Sequence, residues 1–156
     1  MMWKEFDKSN MGAVAEMESF VRSHNNGHFM QMPYWADVKT FWSWRGVSIY
    51  EQDKLVATMG ILIRSLPLSF TLFYIPRGPV CDRNDPDIWN ELMAALKQTA
   101  KKHHAILMYT DPDELDTNNS FRSIMQNIGF KEISDDGFGN IQPQYVFWLN
   151  LASQNE

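Results

Sequence analysis

Phe73-Tyr74-Ile75-Pro76-Arg77-Gly78-Pro79-Val80 closes an apolar run of β character in a Pro-Arg-Gly-Pro loop that presents one cation. Pro76 and Pro79 each remove a backbone donor and fix φ, while Gly78 lets the chain pass close to a ligand. Arg77 is thereby held on a stiff, locally open mount. Two readings stand: an ordinary strand-end turn, since proline and glycine punctuate most loops, or a place built for binding.

Working outward, Ser48 to Tyr50, Leu55 to Arg64 and Phe70 to Ile75 predict three strands, joined by turns at Gln52-Asp53 and Leu66-Pro67 into an antiparallel meander. Upstream, Asn10 caps a helix with Val14, Met17, Phe20 and Val21 on one face, ended by Asn25-Asn26-Gly27. Pro33 opens a second helix, in which Trp35, Val38 and Trp42 recur at helical spacing with Lys39 beside them.

Downstream, Asp85-Pro86-Asp87 starts a helix that runs to about His103 and buries Ile88, Leu92, Ala95, Leu96 and Thr99. Ala105 to Tyr109 reads as a short buried strand. A helix from about Asn118 buries Phe121, Ile124, Met125 and Ile128 and stops at Gly129, and Gln144 to Leu151 reads as a last strand. This order predicts an α/β (α+β) core of the GCN5-related N-acyltransferase (GNAT) type, with a mixed, mostly antiparallel sheet flanked by helices.

Composition bounds the function. A chain of 156 residues, 44% hydrophobic and 21% charged, fits one domain, here expected over residues 1–156. Its net charge of −5 gives no general field for a polyanion. The single cysteine, Cys81, excludes an intrachain disulfide and reads as a reduced apolar residue. No apolar run approaches the ~18 residues of a membrane span, and Met1 to Lys8 lacks a signal peptide's apolar core. The expected location is the cytoplasm, near the inner face of the membrane.

No Gly-x-Ser-x-Gly elbow, metal-ligand spacing or phosphate-binding Gly-x-x-x-x-Gly-Lys loop is present, so no catalytic residue and no metal site is assigned. His24 and His28 fall in a polar turn and suggest no site. An acetyl-CoA pyrophosphate needs free amides at a helix start, but Arg77 to Asp87 carries two of the prolines and crowds aspartates there.

A second segment, Gln31-Met-Pro-Tyr-Trp35-Ala-Asp-Val-Lys39, gives these observations a common frame. Together with the Tyr74-to-Val80 loop it resembles the Fem-type aminoacyltransferases, whose first domain carries a Q-x-x-x-W-x-x-x-K helix and a Y-x-P-R-G-P-V strand end. Asp111-Pro112, Ile128-Gly129-Phe130, Ile141-Gln142-Pro143 and Leu149-Asn150-Leu151 follow in the family's order, so the likeness spans roughly residues 25 to 151. Gln52-Asp53 departs from the glycine turn common there, and Asn150 stands where the family often has Asp.

The resemblance implies the same fold and a role in peptidoglycan synthesis: transfer of an amino acid from aminoacyl-tRNA to the stem-peptide lysine of a precursor, forming the interpeptide bridge. It implies no cofactor, with aminoacyl-tRNA as co-substrate of the full enzyme. Family enzymes pair two such domains, and the second is expected to be absent here. The chain is thus expected to bind UDP-N-acetylmuramyl-pentapeptide or its lipid-linked form, and to be inactive without a second domain, partner chain or homodimer.

The resemblance assigns Lys39 to the precursor diphosphate; otherwise it is a lysine lying over Trp35 and Trp42. Arg77 either forks onto an anion or pairs with Asp82 or Asp111. Tyr74 and Trp35 either stack on a uracil or sugar ring or pack in the core. Asp82 either accepts from a precursor amide or hydroxyl or orders the helix start, and Asp111 is expected to order its Asp-Pro turn. A non-enzymatic cell-wall saccharide or peptide-binding module and an acetyl-CoA-dependent N-acetyltransferase remain the alternatives.

Overall fold

Gln52 and Asp53 take positive φ, 47° and 63°, so a two-residue turn matches the twist of its strands and pairs Glu51 with Lys54. That hairpin organises the sheet seen in a computed structural model, which describes residues 1–115 and 117–133. The strands are β1 (Met2–Phe6), β2 (Ser43–Glu51), β3 (Lys54–Ser65), β4 (Thr71–Arg77), β5 (Val80–Cys81) and β6 (Ala105–Pro112). The helices are α1 (Met11–Ser23), α2 (Trp35–Val38), α3 (Pro86–Lys102) and α4 (Asn119–Asn127).

The sheet order is β1-β2-β3-β4-β6, with β5 also paired to β3; among the described residues only the β4–β6 pair is parallel. The α3 crossover makes that parallel pair possible. Side chains alternate between two buried layers. Ala57, Met59, Ile61, Ile63, Phe73 and Ile75 join Leu92 and Leu96 of α3, whereas Leu62 and Tyr74 join Met17, Val21, Ala36 and Trp44 on the other face. With both faces covered, β3 is apolar nearly throughout, as the Leu55–Arg64 run predicts.

Asn10 caps α1 and Asp85 caps α3, each as the sequence predicts, and α4 ends before Gly129 at φ +99°. The second helix is different. α2 is one turn long, with Lys39 at its C-cap and Trp42 beyond it. Pairing of Ser43 and Trp44 with Ile63 and Leu62 starts β2 five residues before the expected Ser48, and draws the chain out of helix onto the sheet. The helical spacing of Trp35, Val38 and Trp42 was overridden by tertiary pairing, and Val38 is exposed.

β1 is an element that the sequence reading passed over. Its Glu5 points inward, where Arg45, Lys102 and His103 stand 3.6, 2.9 and 2.8 Å away, so a charge interrupts the apolar alternation that marks a strand. β6 runs past the expected Tyr109 to Pro112, and Ile106 and Leu107 are exposed rather than buried; among the described residues only β4 pairs with it. Ile141-Gln142-Pro143 and the strand expected over Gln144–Leu151 lie outside the described residues.

Candidate functional site

The Pro76–Pro79 loop is the junction where β4 leaves off and β5 resumes pairing with β3, and three side chains from elsewhere pin it. The Thr110 hydroxyl lies 3.0 Å from the Ile75 carbonyl and 2.9 Å from that of Gly78. Asp111 accepts the Arg77 backbone N–H at 3.0 Å and the Tyr74 hydroxyl at 3.0 Å. Gln31, fully buried, donates to the Pro76 carbonyl at 2.5 Å and accepts the Gly60 N–H at 2.8 Å. Gly60 and Gly78 leave the room: a Cβ on either would stand 2.4 Å from a Gln31 atom.

So braced, Arg77 holds φ +54°, a left-handed backbone that non-glycine residues seldom adopt. Its guanidinium approaches the exposed Asp113 at 3.9 Å, so the pairing partner is Asp113 rather than Asp82 or Asp111. A long pair with an exposed carboxylate is weak, which leaves the fork available to an anion. Asp111 is not the organiser of an Asp-Pro turn: both it and Pro112 lie within β6, and its side chain braces the neighbour strand.

Burial raises the Asp111 carboxyl above its ordinary 3.8, against the pull of the Arg77 N–H and the Tyr74 hydroxyl. An acid held more weakly ionised in the fold than in the unfolded chain favours folding most below the unfolded value, and that favour is lost as pH rises toward the folded one. Urea titrations of the wild type and Asp111→Asn are therefore expected to diverge against the wild type as pH rises from about 4 to 7. A constant difference across that range would show that Asp111 carries no raised pKa.

A row of rings lies on the segment that Gln31 ties to the Arg77 loop. Burial lowers the pKa of His28, on which Asp113, Arg77 and Asp111 also act, and its Nδ1 accepts the Met30 N–H at 3.2 Å. His28 stacks on Phe29 with centroids 4.6 Å apart, Phe29 meets Trp35 edge-on at 5.3 Å, and the Lys39 ammonium lies 5.5 Å from the Trp35 ring centre. Lys39 thus does lie over Trp35, while Trp42 is covered instead by Arg64 at 5.9 Å. Lys39 stands at one end of a ring row that runs through Trp35 and Phe29 to His28, which the sequence reading passed over and which feels the charge of Arg77.

Tyr74 is not open to a ligand ring. It is 1% exposed, between Trp42 and Tyr109, because its position on β4 faces the α1/α2 layer. Asp82 is exposed and accepts the Asn84 N–H at 2.9 Å, so it orders the turn before α3. Burial pushes the Cys81 thiol up to about 12, in keeping with an inert apolar residue.

The start of α3 is closed to an anion. Asp85 accepts the Asp87 and Ile88 N–H groups at 2.9 and 3.2 Å. Buried Arg83 bridges Glu114 at 2.8 Å and the Asp113 carbonyl at 2.6 Å, stitching this turn to the segment after β6. Among the described residues no cluster of His, Cys, Asp or Glu is placed to hold a metal.

The helix-crossed parallel pair at the end of an antiparallel meander defines an acyltransferase fold of the GNAT class. An aminoglycoside N-acetyltransferase AAC(6')-Iy in complex with CoA superposes with a TM-score of 0.56 over 96% of this chain and 98% of its own, at 12% identity, a likeness of fold alone. The crystal structure of FemX superposes at 0.69 with 30% identity, over 82% of this chain and 32% of FemX. Lipid II:glycine glycyltransferase of Staphylococcus saprophyticus is 34% identical over 118 residues, 73% of this chain and 28% of that protein. The FemAB family profile matches residues 13–156. The chain belongs to the FemAB family, and it spans about a third or less of the length of these relatives.

Proposed function

We propose that this chain supplies the precursor-recognition surface for aminoacyl transfer in peptidoglycan interpeptide-bridge synthesis. The observation that carries the reading is Lys39 over Trp35 in a ring row that continues through Phe29 to His28, on a segment that Gln31 ties to the braced loop of Arg77. Lys39 is a compact counter-charge for a diphosphate, exposed Phe29 and half-buried Trp35 offer ring faces to a sugar or base, and Arg77 offers a fork to a peptide carboxylate. The relatives named lipid II:glycine glycyltransferase act on such a precursor, which supports the assignment.

In the transfer itself, the stem-peptide amine forms a bond to the ester carbonyl of aminoacyl-tRNA. The carbon–oxygen bond to the tRNA breaks, and the leaving hydroxyl takes up a proton as the amine loses one. The part of this chain is to hold the amine in line, a positioning contribution. Donor engagement is assigned to a further domain, partner chain or second copy. Acetyl-CoA is disfavoured as donor because Asp85 already occupies the α3 amides.

The six tryptophans allow a direct titration with UDP-N-acetylmuramyl-pentapeptide, with UDP and acetyl-CoA for comparison. Saturable precursor binding is expected, weakened about tenfold or more in Lys39→Ala, with no response to acetyl-CoA. Precursor affinity indifferent to Lys39 would favour a saccharide or peptide-binding module instead, and acetyl-CoA binding without precursor binding would overturn the proposal.

A further inference from the structure

The sheet has two unlike ends. The β2–β3 turn, the start of α3 and the end of β6 gather Glu51, Asp53, Asp85, Asp111, Asp113 and Glu114 at one of them. The β3–β4 turn, the end of α3 and the start of β6 bring Arg64 and Lys101 to the other. Of the carboxylates on that side, Asp37 pairs with Lys8 and Glu5 with Arg45, Lys102 and His103, while Asp7 accepts from Ser9 and feels the charge of Arg45. A chain of net charge −5 therefore keeps a locally cationic end.

That same end exposes large apolar side chains. Phe41, just before β2, is 86% exposed, and Leu68, at the tip of the β3–β4 turn, is 87% exposed; Val38 and Phe70 flank them. Leu68 also holds φ +60°, where glycine would sit without strain, so both its conformation and its exposure run against ordinary turn chemistry. Exposed apolar tips at an end that carries Arg64 and Lys101 match the requirements of a bilayer surface.

We propose that this end docks on an anionic lipid surface, with Phe41 and Leu68 in the headgroup layer. The inference rests on the precursor-binding reading and deepens it, since it selects a lipid-linked acceptor. Lys39, two residues from Phe41, then lies at the membrane side, where a lipid-borne diphosphate emerges. Arg77 lies at the far end of the seven-residue β4, about 20 Å further out, along the path of a peptide leaving the surface. The carboxylate-rich end points away from the lipid charge.

Sedimentation of the chain with phosphatidylcholine vesicles, with and without phosphatidylglycerol, tests this. Binding is expected to need phosphatidylglycerol and to weaken with salt, by the screening that exposed charges feel. Phe41→Ser and Leu68→Gly should each lower the partition coefficient about tenfold. Glycine suits the left-handed site, so Leu68→Gly should keep its melting temperature. Leu115→Ser, 75% exposed but at the acidic end, should change nothing.

Absence of phosphatidylglycerol-dependent binding would overturn the proposal. So would an equal loss in Leu115→Ser, or lipid-free self-association that Phe41→Ser and Leu68→Gly abolish, which would make the patch a contact between copies. Titration with the UDP-linked precursor in the absence of vesicles keeps the two readings apart: Leu68→Gly should bind it as the wild type does, whether or not the lipid contact exists.

Discussion

Gly78→Ala is expected to destabilise the chain by about 3 kcal/mol, and to do so far less once Gln31 has been truncated to alanine. The Gln31 amide bridges β3 and β4 just past Leu62 and Tyr74, where their direct pairing stops, through the Gly60 N–H and the Pro76 carbonyl. A Cβ at Gly78 would stand 2.4 to 2.5 Å from its Cδ, Nε2 and Oε1, so the amide must leave and both backbone groups lose their buried partner. Each orphaned group costs about 1–3 kcal/mol, and Gln31→Ala should cost a similar total by itself. In the double variant the new methyl enters space already vacated, so the penalties should fall short of additive by about 2 kcal/mol in urea unfolding.

Gly60→Ala supplies the contrast. Its Cβ would meet the Gln31 backbone oxygen at 2.4 Å, an atom that truncation leaves in place, so Gln31→Ala should not rescue it. Additive Gly78 and Gln31 penalties would mean that the amide does not hold the loop.

What could be read in the sequence follows the range of the interaction that fixes it. The Asp85-Pro86 start of α3, the Gly129 end of α4 and the alternation along β3 are local signals, and each lies where the sequence places it. Arg77 was legible because proline and glycine on both sides mark its loop. The braces on that loop were not: Gln31 reaches Pro76 across 45 residues and Asp111 reaches Arg77 across 34, and nothing in either segment announces the partner. His28 was missed for the same reason, as its relation to Arg77 exists only after the strands pair. α2 failed in the opposite sense, where a helical spacing that was present yielded to the pairing of Ser43 and Trp44. β1 was hidden by Glu5, an inward charge whose three cationic partners come from β2 and the end of α3.

Arg77→Gly separates the loop's two possible duties, and it is expected to lose precursor binding by 10- to 100-fold, roughly the value of charge-assisted hydrogen bonds, without losing stability. At φ +54° an L side chain costs about 1–2 kcal/mol, which glycine would recover, while the greater freedom of the unfolded chain takes back about 0.5–1 kcal/mol. The guanidinium's pairing with Asp113 at 3.9 Å is too exposed to shift that balance far. Arg77→Ala keeps the strain, so it should be the less stable of the two variants while binding no better. If Arg77 were there for the fold, the order would reverse: glycine would unfold the loop, and binding would fall only as far as stability did. A strained arginine held by the carboxylate of Asp111, itself raised in pKa by burial, is two unfavourable terms placed side by side. On the proposed reading such a pairing is sustained by the anion the guanidinium would bind, and the order of the two variants decides it.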